Sequence, residues 1–159
     1  MSETKPRHVR IGDIAAFDYA FEPPVAATMT DIGRTLGSQK IGLTIQTVAP
    51  GRRSSRRHRH LFQEELLVVM SGTGTLLHGD ARVPCGPGDA FLYLPGDPAP
   101  HSFENTGTDP LVIWAFGDRH AHEVCEYPDQ GVAFVEGLGA EVPLDQARPS
   151  AWTEDRRQR

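Results

Sequence analysis

Four residues of this chain, His58, His60, Glu65 and His101, are of the types that hold a divalent metal, and their spacing lets them converge. His58 and His60 are two apart, so on a strand both imidazoles project from one face and can reach the same ion. Glu65 follows His60 by five residues, an odd interval that would put it on the opposite face of an unbroken strand. A turn over residues 61–64 is therefore required. Glu65 then opens the next strand, with Leu67 and Val69 on its own face, which must be the interior. The adjacent Glu64 should face outward. His101 begins a second stretch, in which Phe103 and Asn105 share its face by the same period. Three neutral imidazoles and one carboxylate suit a single divalent ion, Zn, Mn, Fe, Ni or Co. Such a set leaves one or two coordination positions for water or substrate, unlike a closed structural site.

Short strands must position these groups. The 16 Gly and 13 Pro exceed average usage and fall between short apolar runs, the punctuation of an all-β chain. Ile41, Leu43 and Ile45 alternate with Gly42, Thr44 and Gln46, as in a half-buried strand. Further strand-sized runs cover residues 65–70, 73–78, 90–94, 101–105 and 111–116. Residues 84–88, 95–100 and 106–110 are read as breakers between them. The tetrapeptide His78-Gly79-Asp80-Ala81 reads as a two-residue hairpin turn with Gly supplying φ > 0. Many short strands with regular turns mean a sandwich or a closed barrel. The expected organisation is one domain over residues 1–159. Its core spans about 40–118, residues 1–39 form an N-terminal arm with room for one strand, and 119–159 form an irregular C-terminal extension. The end of that extension, SAWTEDRRQR, is charged, lacks an apolar face and is expected to be disordered.

The same residues resemble the two motifs of the cupin superfamily, G-x5-H-x-H-x3–4-E-x6-G and G-x5-P-x-G-x2-H-x3-N. Gly51, His58, His60, Glu65 and Gly72 fit the first, with one extra residue after Gly51. Gly88, Pro95, Gly96, His101 and Asn105 correspond to the second, which has a longer stretch before Pro95, Gly directly after it and a wider gap before His101. These departures lengthen loops without changing which side chains face inward. The resemblance is to small bacterial cupins with a type 2-like barrel. It implies a double-stranded β-helix (cupin or jelly-roll) barrel with the metal near one mouth. Residues 118–129, DRHAHEVCEYPD, also look like the tail of bacterial cupins in which a Tyr-Pro-Asp follows the barrel.

Other residues compete for functional roles. Tyr93, on the strand before the His101 corner, is the candidate for a catalytic hydroxyl near the metal. Arg52, Arg53, Arg56 and Arg57 crowd the approach to the metal ligands and could hold a carboxylate or phosphate of the substrate at the mouth. The alternative is a solvated loop whose arginines pair with nearby Asp and Glu. Arg59, between the two histidines, should point away. His120 and His122 form a second His-x-His without a spaced carboxylate, and a surface loop is expected there; His78, beside a hairpin turn, should be solvated. Cys85 and Cys125 make no disulfide framework and read as ordinary buried thiols of a reduced, cytoplasmic protein. A net charge of −5 argues against a nucleic-acid partner, and the apolar run 66–70 is too short to span a membrane. The N-terminus lacks the apolar segment of a secretory signal. Exposed sheet edges and the arm point to a homodimer.

These features favour a metal-dependent enzyme of isomerase, decarboxylase or lyase type. Its substrate would be a small polar or anionic molecule such as a sugar acid or carboxylate. An Fe(II)-dependent dioxygenase would use the same ligands. A non-catalytic binding or sensing protein for a small ligand is the alternative of a different class.

Overall fold

The computed structural model describes residues 6–145, so the expected disorder of residues 150–159 lies outside the described part. After a short 3-10 turn at Ile11–Asp13 come β1 (Phe17–Ala20), β2 (Ala26–Asp31), the one-turn helix α1 (Ile32–Thr35) and β3 (Ile41–Val48). The middle of the chain supplies β4 (Arg59–His60), β5 (Glu65–Ser71), β6 (Gly74–His78), β7 (Ala81–Cys85), β8 (Ala90–Tyr93), β9 (His101–Glu104) and β10 (Leu111–Asp118). The last three strands are β11 (Val124–Tyr127), β12 (Val132–Val135) and β13 (Ala140–Pro143). Every pairing between these strands is antiparallel.

A six-stranded sheet, ordered β1-β2-β3-β10-β5-β8, forms one wall of the barrel. The opposite side is built from the three-stranded sheet β7-β6-β9 and the four-stranded sheet β13-β12-β11-β4. This is the double-stranded β-helix that the motifs imply. The interior follows the period-two rule. Leu67 and Val69 of β5, Leu111, Ile113 and Ala115 of β10, and Phe103 of β9 are buried in one core with Val48 and Leu76. Glu64 is exposed, as expected for the wrong side of the turn. Burial of these large apolar side chains is the main term holding the two walls together, at about 1.5–3 kcal/mol for each of them.

The motif residues that are not metal candidates shape the corners. Gly72 has φ +75, and a Cβ there would collide with the backbone of Pro110 and Leu111. Asn105, almost fully buried, donates from Nδ2 to the carbonyls of Val48 and Asp109 and accepts from the Gly107 N–H. It pins the loop after β9 to the end of β3.

The structure corrects three expectations. The N-terminal arm contributes two strands, β1 and β2, which extend the main sheet by pairing with β3. Residues 84 and 85, read as part of a breaker, belong to β7. Pro84 is tolerated there because β7 is an edge strand and needs no outward N–H. The C-terminal extension is not irregular but folds into β11, β12 and β13, and β11 pairs with β4. These strands are only four residues long and carry Glu126 and Glu141 among their apolar residues, so their periodicity is weak in sequence. The hairpin turn at Gly79 and Asp80 forms as expected, with His78 paired to Ala81. Among the described residues no helix is long and apolar enough to cross a membrane.

Candidate metal centre

The four ligand candidates converge. One donor atom from each of His58, His60, Glu65 and His101 lies within 4.8 Å of the others. His60 sits on β4, which is held in place by β11. His58 precedes β4 and exchanges both backbone hydrogen bonds with His101, at 3.1 and 2.8 Å. Thus the first and last histidines are fixed to each other by the main chain. Glu65 opens β5 opposite Tyr93 of β8, after a turn at residues 61–64 that reverses the facing of the chain. The odd spacing from His60 to Glu65 is resolved by this turn.

The side chains are oriented as ligands need to be. Glu65 Oε2 lies 2.9 Å from His101 Nε2 and 3.8 Å from His60 Nε2. Two donors each about 2.0–2.2 Å from one ion must lie within roughly 4.3 Å of each other, so both separations suit a shared cation. His58 Nδ1–H donates to the Arg56 carbonyl at 2.9 Å, which leaves Nε2 free to ligate. His60 Nδ1–H donates to Glu123 Oε1 at 3.3 Å, with the same consequence. His101 Nδ1 is buried without a partner among the described residues.

The electrostatics also favour a cation. Burial, reinforced by the neighbouring His101, lowers His58 to about 3, so it is a neutral imidazole at neutral pH. Burial alone would raise the Glu65 carboxyl, but the hydrogen bond from His101 and the surrounding imidazoles hold it down at about 2. Glu65 is therefore a half-buried carboxylate among imidazoles, one of them firmly neutral. Such a charge is costly unless paired, and a divalent ion supplies the pairing. Burial would lower His60, yet Glu123 and Glu65 outweigh it and raise it. The donor set and its protonation fit a metal ion.

Glu65 also lines a cavity of about 520 Å³ at the barrel mouth. Its other polar walls include Gln46 of β3, Gln63 from the turn before Glu65, Arg34, Arg119, Asp31 and His120. Asp31 caps α1, accepting from the Arg34 N–H at 2.7 Å, and its carboxylate lies 3.4 Å from the guanidinium groups of both Arg34 and Arg119. Two guanidinium groups thus share one carboxylate at the rim.

The arginines expected at the mouth are elsewhere. Arg52, Arg53, Arg56 and Arg57 do not line this cavity. Arg53 pairs with Glu104 at 3.5 Å. Arg57 makes a two-pronged pair with Asp129 and donates to the Gly79 carbonyl. Arg56 is buried, 2.5 Å from Glu141, with its guanidinium over the rings of Tyr127 and Phe21. Arg59 points away from the centre onto Glu126. Arg52 is exposed on the outer flank beside β1 and β2. The charge run fastens the C-terminal strands and loops to the barrel, which spacing alone could not show.

Tyr93 is also placed differently. It is buried, and its ring lies flat on His101 at 3.7 Å with 14° between the planes. Its hydroxyl is 3.4 Å from Nδ1 of the exposed His78, and it does not line the cavity. Burial and the nearby Glu65 raise its pKa, so the hydroxyl stays protonated. Its position is that of a backing plate for a ligand imidazole. His120 stacks on Phe62 and reaches the cavity rim, whereas His122 is exposed, and neither joins the metal cluster. Cys85 and Cys125 are free and buried.

Sequence reasoning missed Glu123, Arg119, Gln46 and Gln63. Glu123 is almost fully buried and accepts from the N–H groups of Leu61, Phe62 and Gln63 as well as from His60. Burial tends to raise its pKa, but His60 and these backbone donors lower it on balance.

The family model for the cupin domain matches residues 44–117, which contain all four candidate ligands. Residues 44–117 are thus a cupin domain. Among curated proteins none matches the chain. Several solved cupin structures are similar to it. One is a putative sugar phosphate isomerase from Acidithiobacillus ferrooxidans, with a TM-score of 0.80 and 27% identity, covering 88% of this chain and 92% of that one. A sugar phosphate isomerase from Silicibacter pomeroyi has a TM-score of 0.79 and 24% identity, covering 91% and 97%. A predicted oxalate decarboxylase from Thermotoga maritima has a TM-score of 0.60 and 20% identity, covering 71% and 99%. The last two show the shared barrel alone.

Proposed function

We propose that this cupin is a divalent-metal-dependent enzyme of isomerase type acting on a small, hydroxylated, anionic molecule such as a sugar phosphate or sugar acid. The observation that carries this reading is the cavity itself. Glu65 of the four-donor cluster opens onto a space of about 520 Å³ walled by amides, carboxylates and two arginines. A divalent ion bound by His58, His60, Glu65 and His101 would supply a Lewis acid for substrate oxygens.

The chain's own residues divide the remaining work. Gln46 and Gln63 can donate to and accept from hydroxyl groups beside Glu65. Asp31 already pairs with Arg34 and Arg119, so an incoming phosphate or carboxylate would take over donors that these guanidiniums do not spend on it. His120, Asp118 and Glu136 line the same space and are the groups available to move a proton. Lined by both signs, the cavity suits a ligand that carries hydroxyls and one anionic group. The likeness to the Acidithiobacillus protein, whose name states a putative sugar phosphate isomerase, supports the isomerase reading over decarboxylation.

The test is a panel of sugar phosphates, sugar acids and their neutral parents titrated into metal-loaded protein, with NMR detection of interconversion. Anionic members should bind about tenfold or more tightly than neutral ones, a preference that Arg119→Ala removes. Interconversion of one member would establish the enzyme. Binding without turnover across the panel would make the protein a ligand-binding cupin instead.

A further inference from the structure

The charged groups at the cavity rim are held loosely, unlike those elsewhere on the barrel. Arg57 meets Asp129 at 2.6 and 2.9 Å, and Arg59 and Arg56 each meet a glutamate at 2.5 Å. Such short lengths mark charge-assisted hydrogen bonds. Asp31, by contrast, stands 3.4 Å from Arg34 Nε through one carboxylate oxygen and 3.4 Å from Arg119 Nη2 through the other. Its one short bond is to the Arg34 backbone N–H, at 2.7 Å, where it caps α1. Among the described residues neither guanidinium makes another hydrogen bond. Asp118, which lines the same cavity, is committed to the Glu64 N–H at 2.7 Å. Arg119 reaches the mouth along a track free of side chains. A Cβ on Gly33 would stand 3.2 Å from Arg119 Nη2, and one on Gly42 would stand 4.0 Å from its Nε.

We propose that Asp31 is a resident counter-anion of the mouth, holding the Arg34–Arg119 pair until a phosphate group of the ligand replaces its two long contacts. This role rests on the anion subsite of the proposed function, and it narrows the ligand from sugar phosphate or sugar acid to a phosphate monoester. The exchange itself decides the class. A carboxylate ligand would only repeat what Asp31 already supplies, a single charge and two acceptor oxygens, so it gains little. A phosphate monoester carries about −1.5 to −2 charges at pH 7 with three acceptor oxygens, and gains from the same exchange. Each guanidinium presents a planar fork of N–H donors that matches such a group. At 81% and 29% exposure, the side chains of Arg34 and Arg119 are reachable from solvent. Asp31 keeps its bond to the Arg34 N–H, so α1 stays capped while the pair changes partner.

The test is calorimetric titration of the metal-loaded protein with inorganic phosphate and, separately, with acetate. The unmodified protein should bind phosphate at least about tenfold more tightly than acetate. Asp31→Asn removes the charge but keeps a residue that caps equally well, so it should tighten phosphate binding about tenfold. Arg119→Ala should weaken phosphate binding about tenfold or more, and adding Asp31→Asn to it should then change little. That dependence separates a charge acting on the arginine pair from a general effect on the fold. If Asp31→Asn fails to fold, Asp31→Ser, also an uncharged cap, takes its place. A folded Asp31→Asn that binds phosphate no more tightly overturns the role of Asp31, and the subsite itself stands if Arg119→Ala still weakens binding. Phosphate affinity that Arg119→Ala leaves unchanged overturns both. Equal affinity for phosphate and acetate in the unmodified protein overturns the choice of a phosphate ligand.

Discussion

Glu123 Oε1 lies 3.3 Å from His60 Nδ1, and the same carboxylate accepts hydrogen bonds from the three backbone N–H groups that follow His60. One buried side chain therefore fixes the tautomer of one ligand candidate and the shape of the turn that leads to the next. A carboxylate can only accept, so the proton must sit on Nδ1 and Nε2 is presented to the centre. Because it comes from the loop before β11, Glu123 couples the C-terminal strands to the centre.

Glu123→Gln should weaken metal binding about 10- to 100-fold, measured by competition against a chelator of known affinity. Glu123→Ala should lose more, since three turn N–H groups lose their acceptor as well. The double change His120→Ala with His122→Ala should leave metal content unchanged. A Glu123→Gln protein with unaltered affinity would show that the turn alone sets the geometry.

Acid should destabilise the metal-free protein in two steps of the same sign. His58 is held at about 3 in the fold against about 6.5 when unfolded, so the unfolded chain binds the extra proton between those values. Stability from this group is complete above about pH 6.5 and falls as pH drops toward 3. Glu65, held at about 2, adds stability that is present above about pH 4.5 and fades below it. His60 runs the other way, since its raised pKa adds stability at low pH that is lost as pH rises through its folded value. Thermal melts of the apo protein should decline from pH 7 to pH 4, and His58→Ala should flatten the upper part of that decline. Bound metal should raise the melting temperature more at pH 8 than at pH 5, because its ligands must be deprotonated.

Tyr93 offers a separation of packing from chemistry. Tyr93→Phe keeps the ring on His101 and removes only the hydroxyl that reaches the exposed His78, so metal affinity and turnover should change less than about threefold. Tyr93→Ala opens a cavity behind His101 and should cost about 3–5 kcal/mol in urea unfolding. A large loss of turnover in Tyr93→Phe, with the fold intact, would restore the hydroxyl to a chemical role.

The convergence of the four candidate ligands was legible because period two and one odd interval are local properties, and a strand with a turn has few ways to satisfy them. Leu67 and Val69 were legible as core for the same reason. What escaped was everything decided by contacts between distant segments. Arg119 and Asp31 meet across 88 positions, and Arg56 meets Glu141 across 85. No spacing rule reports such pairs. Glu123 lay inside a stretch whose resemblance was noted, but a lone Glu beside a His-x-His carries no period that marks it as buried.

The last prediction concerns Arg56. Its guanidinium carbon lies 3.6 Å from the Tyr127 ring centre and 4.2 Å from that of Phe21, while one nitrogen binds Glu141. Arg56 thereby links the loop before His58 to the residue after β1, to β11 and to β13 at once. Each cation–π contact is worth about 0.5–2 kcal/mol, and the ion pair adds little because Glu141 is 40% exposed. Arg56→Ala should therefore lose about 2–3 kcal/mol of stability in urea unfolding. Arg56→Lys should recover only part of that loss, because an ammonium keeps the charge but not the flat surface that stacks between two rings. Arg52→Ala, at an exposed position, should change stability by less than about 0.5 kcal/mol. If Arg56 is a structural rivet, Arg56→Lys will also leave the affinity for anionic ligands unchanged when measured below its melting temperature. A selective loss of anion affinity in a fully folded Arg56→Lys protein would return this residue to the substrate site.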